Sequence, residues 1–568
     1  MWEQNYQPIA NSLGMSALVA VIPIVVLFVM LGALRKPAWL SALSALGSAF
    51  VIALAAYGMP LQLTVMSTLF GAAFGLFPIA WIVFTSILLY RLAVDTGKFE
   101  IIKTSIGGLT DDRRLQALFI AFSFGAFIEG AAGFGAPVAV SGAMLAGLGF
   151  NPFYAAGICL LANTAPVAFG SIGTPVLTLA NVTGLPLLGL SSMIGRLCAM
   201  ISVLIPGYLM VVMVGRKKAI QVLPAIVACG ISFAGVQFLV SNTLGPELTD
   251  IMSSLSCIVV MVVFMKLWKP GEILRLEGDK KATMALTKHT PAQVFMAWLP
   301  YMLLVVAVLT FGAPSIKAKV NTWTDGFMPD SVRAQPVTHP TATGRLNRIA
   351  VPGLHNMITQ VAPVVPKNTP YAALFELNWL TASGTACLIA AIAAALFLGV
   401  GPRQFGGIYL ATFKQLSKAI LTIASMLGLA YLMNYSGMTS TLGLSLAATG
   451  KLFPFFSAFV GWLGVFLTGS DTSANALFGN LQVVTANALS LNPVLTASVN
   501  SAAGVMGKMI SIQSIAVAVA ATGMTSADES RLFRFTIKHS IVLMIVMGLL
   551  SMMFAYVFPQ YVPMIPPK

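Results

Sequence analysis

The sequence predicts an all-α polytopic membrane protein of roughly 10–14 spans. It further predicts two inverted repeats, each with a re-entrant hairpin and a broken helix. Three observations carry this. The 568 residues are 58% hydrophobic and only 9% charged, with mean hydropathy +0.89, whereas soluble domains are about 25% charged. Apolar runs long enough to cross about 30 Å of hydrocarbon recur along the chain. And two apolar regions, one in each half, are interrupted in the same way.

The first interruption is Phe127-Ile-Glu-Gly-Ala-Ala-Gly-Phe-Gly-Ala-Pro137, which sets Glu129, Gly130, Gly133, Gly135 and a proline inside an apolar region. Lipid offers no hydrogen bonds, so interrupted backbone at membrane depth must be packed in protein or line a wet cavity. The second is Phe466-Leu-Thr-Gly-Ser-Asp-Thr-Ser-Ala-Asn475, with Asp471. Downstream of them lie Asn163-Thr-Ala-Pro-Val-Ala-Phe-Gly170 and Asn500-Ser-Ala-Ala-Gly-Val-Met-Gly507. Each reads Asn-(Ser/Thr)-Ala with a glycine seven residues after the Asn. Matching interruptions in two halves point to an internal repeat with a binding site between the halves.

The elements follow in order. Spans near 15–34 and 38–57 are followed by a partial or amphipathic piece at 60–76 and a crossing at 77–95. Residues 96–114 are polar. Residues 115–149 form the first hairpin, with its tip at Glu129–Gly135. Residues 152–182 cross as a broken helix, since two prolines and two glycines fall in mid-membrane. Spans follow near 188–214, 220–240, 246–267 and 292–312, then a Pro-rich loop at 313–375. The second half has spans at 379–400 and 415–434 and a hairpin at 452–487 with its tip at Thr468–Asn475. It continues with a crossing at 492–520 broken at Asn500–Gly507, and a last span at 540–558.

The formal charge is +15, but its placement excludes a nucleic-acid partner. Most of the 32 Lys and Arg residues lie in six short segments, at 35–36, 91–114, 216–218, 266–288, 403–418 and 531–538. Short segments on the other side carry almost none, chiefly Lys451 and Lys568. This is the positive-inside asymmetry. It makes the six segments cytoplasmic, next to anionic lipid headgroups, and both termini extracytoplasmic. No cleavable signal is read, because the N-terminus lacks a basic region.

Four ionisable residues fall inside spans or hairpins: Glu129, Asp471, Arg196 and Lys508. Such residues are functional-site candidates by default. Lys508 is placed either in a structural ion pair with Asp471 or against a substrate carboxylate. Arg196 is placed either in the site or at an outer interface with its head reaching water. Glu129 and Asp471, kept from water, are candidates to carry a proton. Gly130, Gly133, Asn163, Thr164, Gly170, Thr472, Ser473, Asn475, Asn500 and Ser501 would line the pocket. Helix N-termini at the breaks suit a carboxylate, and the neutral side chains suit a hydroxy acid.

Catalysis is poorly supported. The histidines (289, 339, 355 and 539) form no metal or nucleophile motif, and the five cysteines read as small buried hydrophobes. No cofactor or metal is expected; the coupling ion is a proton, with sodium as the alternative. A membrane enzyme acting through Asp471 and Ser470 or Ser473 is the reading from a different class.

At these motifs the sequence resembles the bacterial L-lactate permease family (the lactate/glycolate permeases). The stretches are Phe124 to Pro137, Asn163 to Gly170, Gly461 to Ser473 and Gly507-Lys-Met-Ile-Ser511. The similarity runs from Trp2 through Arg531-Leu-Phe-Arg-Phe-Thr-Ile-Lys-His539. It implies proton-coupled uptake of L-lactate, D-lactate or glycolate across the bacterial inner membrane; loop 313–375 is the clearest departure. The runner-up is sodium-coupled dicarboxylate uptake, which should want more fixed positive charge than one lysine. The plan also looks like that of ion-coupled anion transporters that are often dimers, with a transport part moving against a scaffold. That analogy makes 115–182 and 452–520 the transport part and 1–114 and 376–451 the scaffold. Residues 183–312 hold the middle spans, 313–375 the outer loop and 521–568 the cytoplasmic segment and last span.

Overall fold

A computed structural model describes residues 1–133, 135–275, 289–327 and 348–564. Residues 276–288 of the basic segment 266–288, residues 328–347 of loop 313–375 and Lys568 lie outside the described residues.

The chain is a multi-pass helical membrane protein. Among the described residues, eleven helices are long and apolar enough to cross a membrane, or up to thirteen if two bent pairs each count as one span. Apolar side chains face outward along these helices, as lipid allows: Leu18, Val51, Val259, Val306 and Leu549 are all more than half exposed.

Two of the expected breaks fall elsewhere. The partial span 60–76 and the crossing 77–95 form one helical run, Leu61–Asp95, with a kink where Phe77 leaves helical geometry before Pro78. The polar segment 403–418 is no loop. It is the first half of the 35-residue helix Pro402–Ser436, about 50 Å long at 1.5 Å per residue and so longer than the hydrocarbon is thick.

The first hairpin is Arg113–Ala131 and Ala136–Gly147. Its turn uses Gly133 (φ +63°) and Gly135 (φ +83°), a left-handed geometry that costs glycine nothing. The first broken helix is Pro152–Ala162 and Val167–Thr183, bent by 63°. The second hairpin is Phe453–Thr468 and Asp471–Ala488, with a tip of only Gly469 and Ser470. The second broken helix is Pro493–Lys508 and Ile512–Ala521, bent by 40°.

Its break is therefore at 509–511 and not at Asn500–Gly507. Asn500 and Ser501 leave the helix whole because their side chains bond sideways to Gln482, Asn475 and Asp471. Gly504 and Gly507 serve contact with the second hairpin: a Cβ at Gly504 would lie 2.7 Å from Asp471 Oδ1, and one at Gly507 would overlap the Trp462 carbonyl.

Packing divides the apolar interior into two clusters. One joins the first hairpin, the first arm of the second hairpin and most of both broken helices to the helices Leu187–Ile220, Leu223–Thr243 and Thr249–Leu267. The other joins the helices between 13 and 95 to Pro291–Gly312, Ser383–Phe397 and Pro402–Ser436, and it takes in Ala476, Leu477, Phe478 and Leu481 on the second arm of the second hairpin. On one face the N-terminal strand Trp2–Glu3 pairs in parallel with Ile358–Gln360 of the long loop. Gln4 donates to the Asn434 and Tyr435 carbonyls at 2.9 and 2.8 Å. The N-terminus and this loop thus share a face.

On the basic face, Arg114 is fully buried. It pairs with Asp112 at 2.7 Å and donates to the carbonyls of Lys218 and Glu272 and to Gln221 Oε1. One guanidinium ties three of the basic segments together. Arg114→Met would leave Asp112 buried without its cation. It is expected to cost about 3–5 kcal/mol, measured as a lower unfolding temperature in detergent, with Lys36→Met, at an exposed position, unchanged.

Candidate functional site

The hairpin tips and helix breaks meet at one cavity of about 350 Å³, on the boundary between the two apolar clusters. Gly133 and Gly135 come from the first hairpin, Gly170 and Ser171 from the first break, and Thr468–Ser473 from the second hairpin. Lys508, Gln513 and Ser514 flank the second break. The opposite wall is Ala38, Trp39, Lys418 and Thr422.

Three helices begin here: Ala136–Gly147, Asp471–Ala488 and Ile512–Ala521. Their N-terminal ends carry partial positive charge and favour an anion. At the first break Ser171 and Ile172 hold φ of 47° and 58° ahead of Gly173 at 70°. Left-handed residues other than glycine are uncommon and cluster at functional sites. Here they turn the helix so that Ser171 reaches the cavity.

The charges settle into a different pairing from either one expected. Lys508 Nζ donates to Glu129 Oε1 at 3.1 Å, not to Asp471. Glu129 is 2% exposed as a residue, in the last turn of the first hairpin's descending helix. Glycine makes its room: a Cβ at Gly170 would sit 2.5 Å from Glu129 Oε1. Glu129 Oε2 has no hydrogen-bond partner.

Asp471 opens the helix of the second hairpin, where Ser470 caps the Ser473 N–H. Its Oδ2 accepts from Ser501 Oγ at 2.6 Å and from Asn475 Nδ2 at 3.4 Å. Asn475 also donates to the Pro175 carbonyl at 3.2 Å, so the second hairpin is tied to the first broken helix. Asn500 donates to Asn475 Oδ1 at 2.9 Å and accepts from Gln482 at 3.1 Å. Asp471 Oδ1 has no partner.

Thus Glu129, Gly133, Gly170, Asp471, Thr472, Ser473 and Lys508 meet at the cavity. Asn475, Asn500 and Ser501 stand behind Asp471 and hold it. Asn163 and Thr164 line a narrow crevice on the far side of Lys508, and their side-chain polar atoms have no partners. Gly130 faces away, against Asp250. Arg196 is not at the cavity. It donates to Asn242 Oδ1 at 3.0 Å and to the Tyr561 carbonyl, near the end of the helix Leu223–Thr243.

The sequence reading missed Ser171, Lys418, Gln513 and Asp250. Ser171 follows the Asn163–Gly170 motif directly, and the breaks are where such side chains become available. Lys418 was counted as a loop charge. Asp250 lies at the start of the span read at 246–267 but was not counted among the interior charges.

Comparison with known proteins identifies the scaffold that presents this cavity. The family model described as L-lactate permease matches residues 16–558. The chain belongs to the L-lactate permease family. It is 47% identical to an L-lactate permease of Bacillus subtilis (strain 168), over 99% of this chain and all of that one. It is 44% identical to the glycolate permease GlcA of Escherichia coli (strain K12), over 98% of each. The solved structure of Neisseria gonorrhoeae MtrF superposes with TM-score 0.45 at 13% identity, over 89% of this chain and 86% of that chain. As a permease the protein is a membrane transporter and not an enzyme.

Gly170→Ala forces the Glu129 carboxylate away from Lys508. The permease variant is expected to lose about 1–3 kcal/mol of stability and most of its uptake activity. Gly235→Ala, which meets nothing within 4 Å, should keep both. Unfolding in detergent and uptake into proteoliposomes measure the two effects.

Proposed function

We propose that this permease carries L-lactate and related 2-hydroxymonocarboxylates, D-lactate and glycolate, in symport with a proton across the bacterial inner membrane. The names of its relatives supply the substrate class. The observation that carries the coupling is the Lys508–Glu129 pair at the cavity wall, 3.1 Å long.

In this reading Glu129 occupies the ammonium when no substrate is present. A proton on Glu129 removes its claim on Lys508. The lysine then takes the substrate carboxylate in a charge-assisted hydrogen bond. Substrate anion and proton enter together, and the site's net charge does not change. Asp471 Oδ1, which has no partner, accepts from the 2-hydroxyl. Thr472, Ser473 and the helix N-termini complete the pocket. Arg196 takes no part.

The motion proposed is alternating access. The hairpins and broken helices, as two inverted repeats joined by the buried hydrogen bonds of Asn475, move against the wall of Trp39 and Lys418. Both wall residues adjoin segments read as cytoplasmic, so the conformation described is assigned as open to the cytoplasm.

The test is labelled L-lactate uptake into proteoliposomes with an imposed pH gradient, for the parent and Glu129→Gln. A gradient of one pH unit, worth about 1.4 kcal/mol, supports about tenfold accumulation for one proton per substrate. The parent is expected to accumulate lactate only when the outside is acid. Glu129→Gln is expected to exchange internal for external lactate while its accumulation falls to about unity. Uptake that ignores pH and follows sodium would make the permease a sodium symporter and refute the proton assignment.

A further inference from the structure

Asp250 is the one fully buried carboxylate near the site that the mechanism above leaves unused. It lies in the first turn of the helix Thr249–Leu267 and is 1% exposed. Neither of its carboxylate oxygens has a hydrogen-bond partner. It does not line the cavity. It packs instead on the back of the first hairpin: a Cβ added at Gly130 would come within 2.8 Å of the Asp250 Cβ and 3.1 Å of the Ile251 amide. Gly130 follows Glu129 directly. The absent side chain at 130 is what lets the Asp250 helix close on the residue beside the proton-coupling carboxylate.

The charged groups that act on Asp250 are Glu129 of the first hairpin and Lys508 of the second broken helix. The thiol of Cys198, on the helix Leu187–Ser202, feels both Asp250 and Asp471. Glu247 stands three residues away in the turn that leads into the Asp250 helix; it accepts from Ser383 Oγ at 3.4 Å and is partly exposed. The turn itself is locked to the first break, because a Cβ at Gly173 would overlap Pro246.

An anion buried with no donor is costly, and more so at membrane depth. A helix N-terminus softens that cost, but here the carboxylate accepts from none of the free amides. A bound proton removes the cost without a new contact. We propose that Asp250 is a proton carrier that serves Glu129 from behind the first hairpin, so that the proton reaches the Lys508–Glu129 pair by a route separate from the substrate cavity. The step is a simple transfer. The Asp250 carboxyl gives its proton to the Glu129 carboxylate, Lys508 is released for substrate, and Asp250 is reprotonated from the side of Glu247. The inference rests on the proton-symport reading and adds the residue that supplies the proton.

The experiment compares the parent with Asp250→Asn in proteoliposomes, reading lactate accumulation under a pH gradient, lactate exchange at equal pH and proton entry with an internal pH dye. Asp250→Asn is expected to lower accumulation from about tenfold to about unity and to stop lactate-dependent proton entry, with exchange reduced much less. Equal accumulation and equal proton entry in parent and variant would overturn the inference while leaving proton symport intact. A parent that fails to accumulate lactate under the pH gradient would overturn the symport reading itself. A second measurement needs no variant: a hydrophobic carbodiimide, which attacks protonated carboxyl groups from the lipid phase, should modify Asp250 in the parent protein, as peptide mass spectrometry reads. An unmodified Asp250 in protein modified at Glu129 would overturn the proposal even if Asp250→Asn did not fold.

Discussion

The ion pair between Lys508 and Glu129 is the constraint around which the rest of the site is arranged. Its partners are 379 residues apart in sequence and 3.1 Å apart in space. An isolated charge at the centre of a membrane helix costs about 2.5–3.5 kcal/mol on insertion scales, so each partner needs the other wherever it cannot reach water. The pair can exist only if the first hairpin ends beside the second broken helix. It therefore specifies how the two halves of the chain come together. Glycines at 133 and 170 keep the volume around Glu129 open. The break at 509–511 ends the helix directly after Lys508, so the lysine projects from a helix end into the cavity.

A second network fixes the middle of the same helix. Gln482, Asn500, Asn475, Ser501 and Asp471 form a connected chain of hydrogen bonds between the second hairpin and the second broken helix. Every link is buried, where a missing partner is costly. The chain extends to the first broken helix through the Pro175 carbonyl. Hairpins and breaks are thus joined by polar contacts, while the apolar face of the helix Asp471–Ala488 packs with the cluster that holds the opposite wall, through Ala476, Leu477, Phe478 and Leu481. The cavity lies where these polar links meet the wall of Trp39, Lys418 and Thr422.

The sequence made the membrane class, the two hairpins, the first break and the residues Glu129, Asp471 and Lys508 legible, because each rests on a local rule: apolar length, interrupted backbone, or charge in an apolar run. It misplaced the second break because Asn500, Gly504 and Gly507 look alike whether they interrupt a helix or pack it. Only the neighbours Trp462, Asp471 and Gln482 decide that, and they are remote in sequence. Its alternative of a structural pair between Lys508 and Asp471 named a different acid from Glu129 for the same reason. Arg196 was legible as an interior charge but not as one that reaches Tyr561 and Asn242 at a helix end. Asp250 fell at the start of the span read at 246–267, where a charge that stays at the surface and one folded against a hairpin tip look the same in sequence.

The charge count favours the proposed coupling cation. Three carboxyl groups, Glu129, Asp471 and Asp250, stand around Lys508, with a second ammonium, Lys418, on the opposite wall of the cavity. Were all ionised, the carboxylates would outnumber the ammonium groups by one before any substrate arrived, and a monocarboxylate would make the excess two. Helix N-termini and the hydroxyl of Ser501 offset part of this, but three oxygens of Glu129 and Asp250 and one of Asp471 have no donor. On the proton-symport reading, positive charge enters with the anion. A cation that bound far from Lys508 would leave its pairing with Glu129 undisturbed and the substrate without a counter-ion. One that neutralises Glu129 both balances the charge and frees the lysine. On the proton-symport reading, cation binding and anion binding are a single event, which is the condition for transport against a gradient.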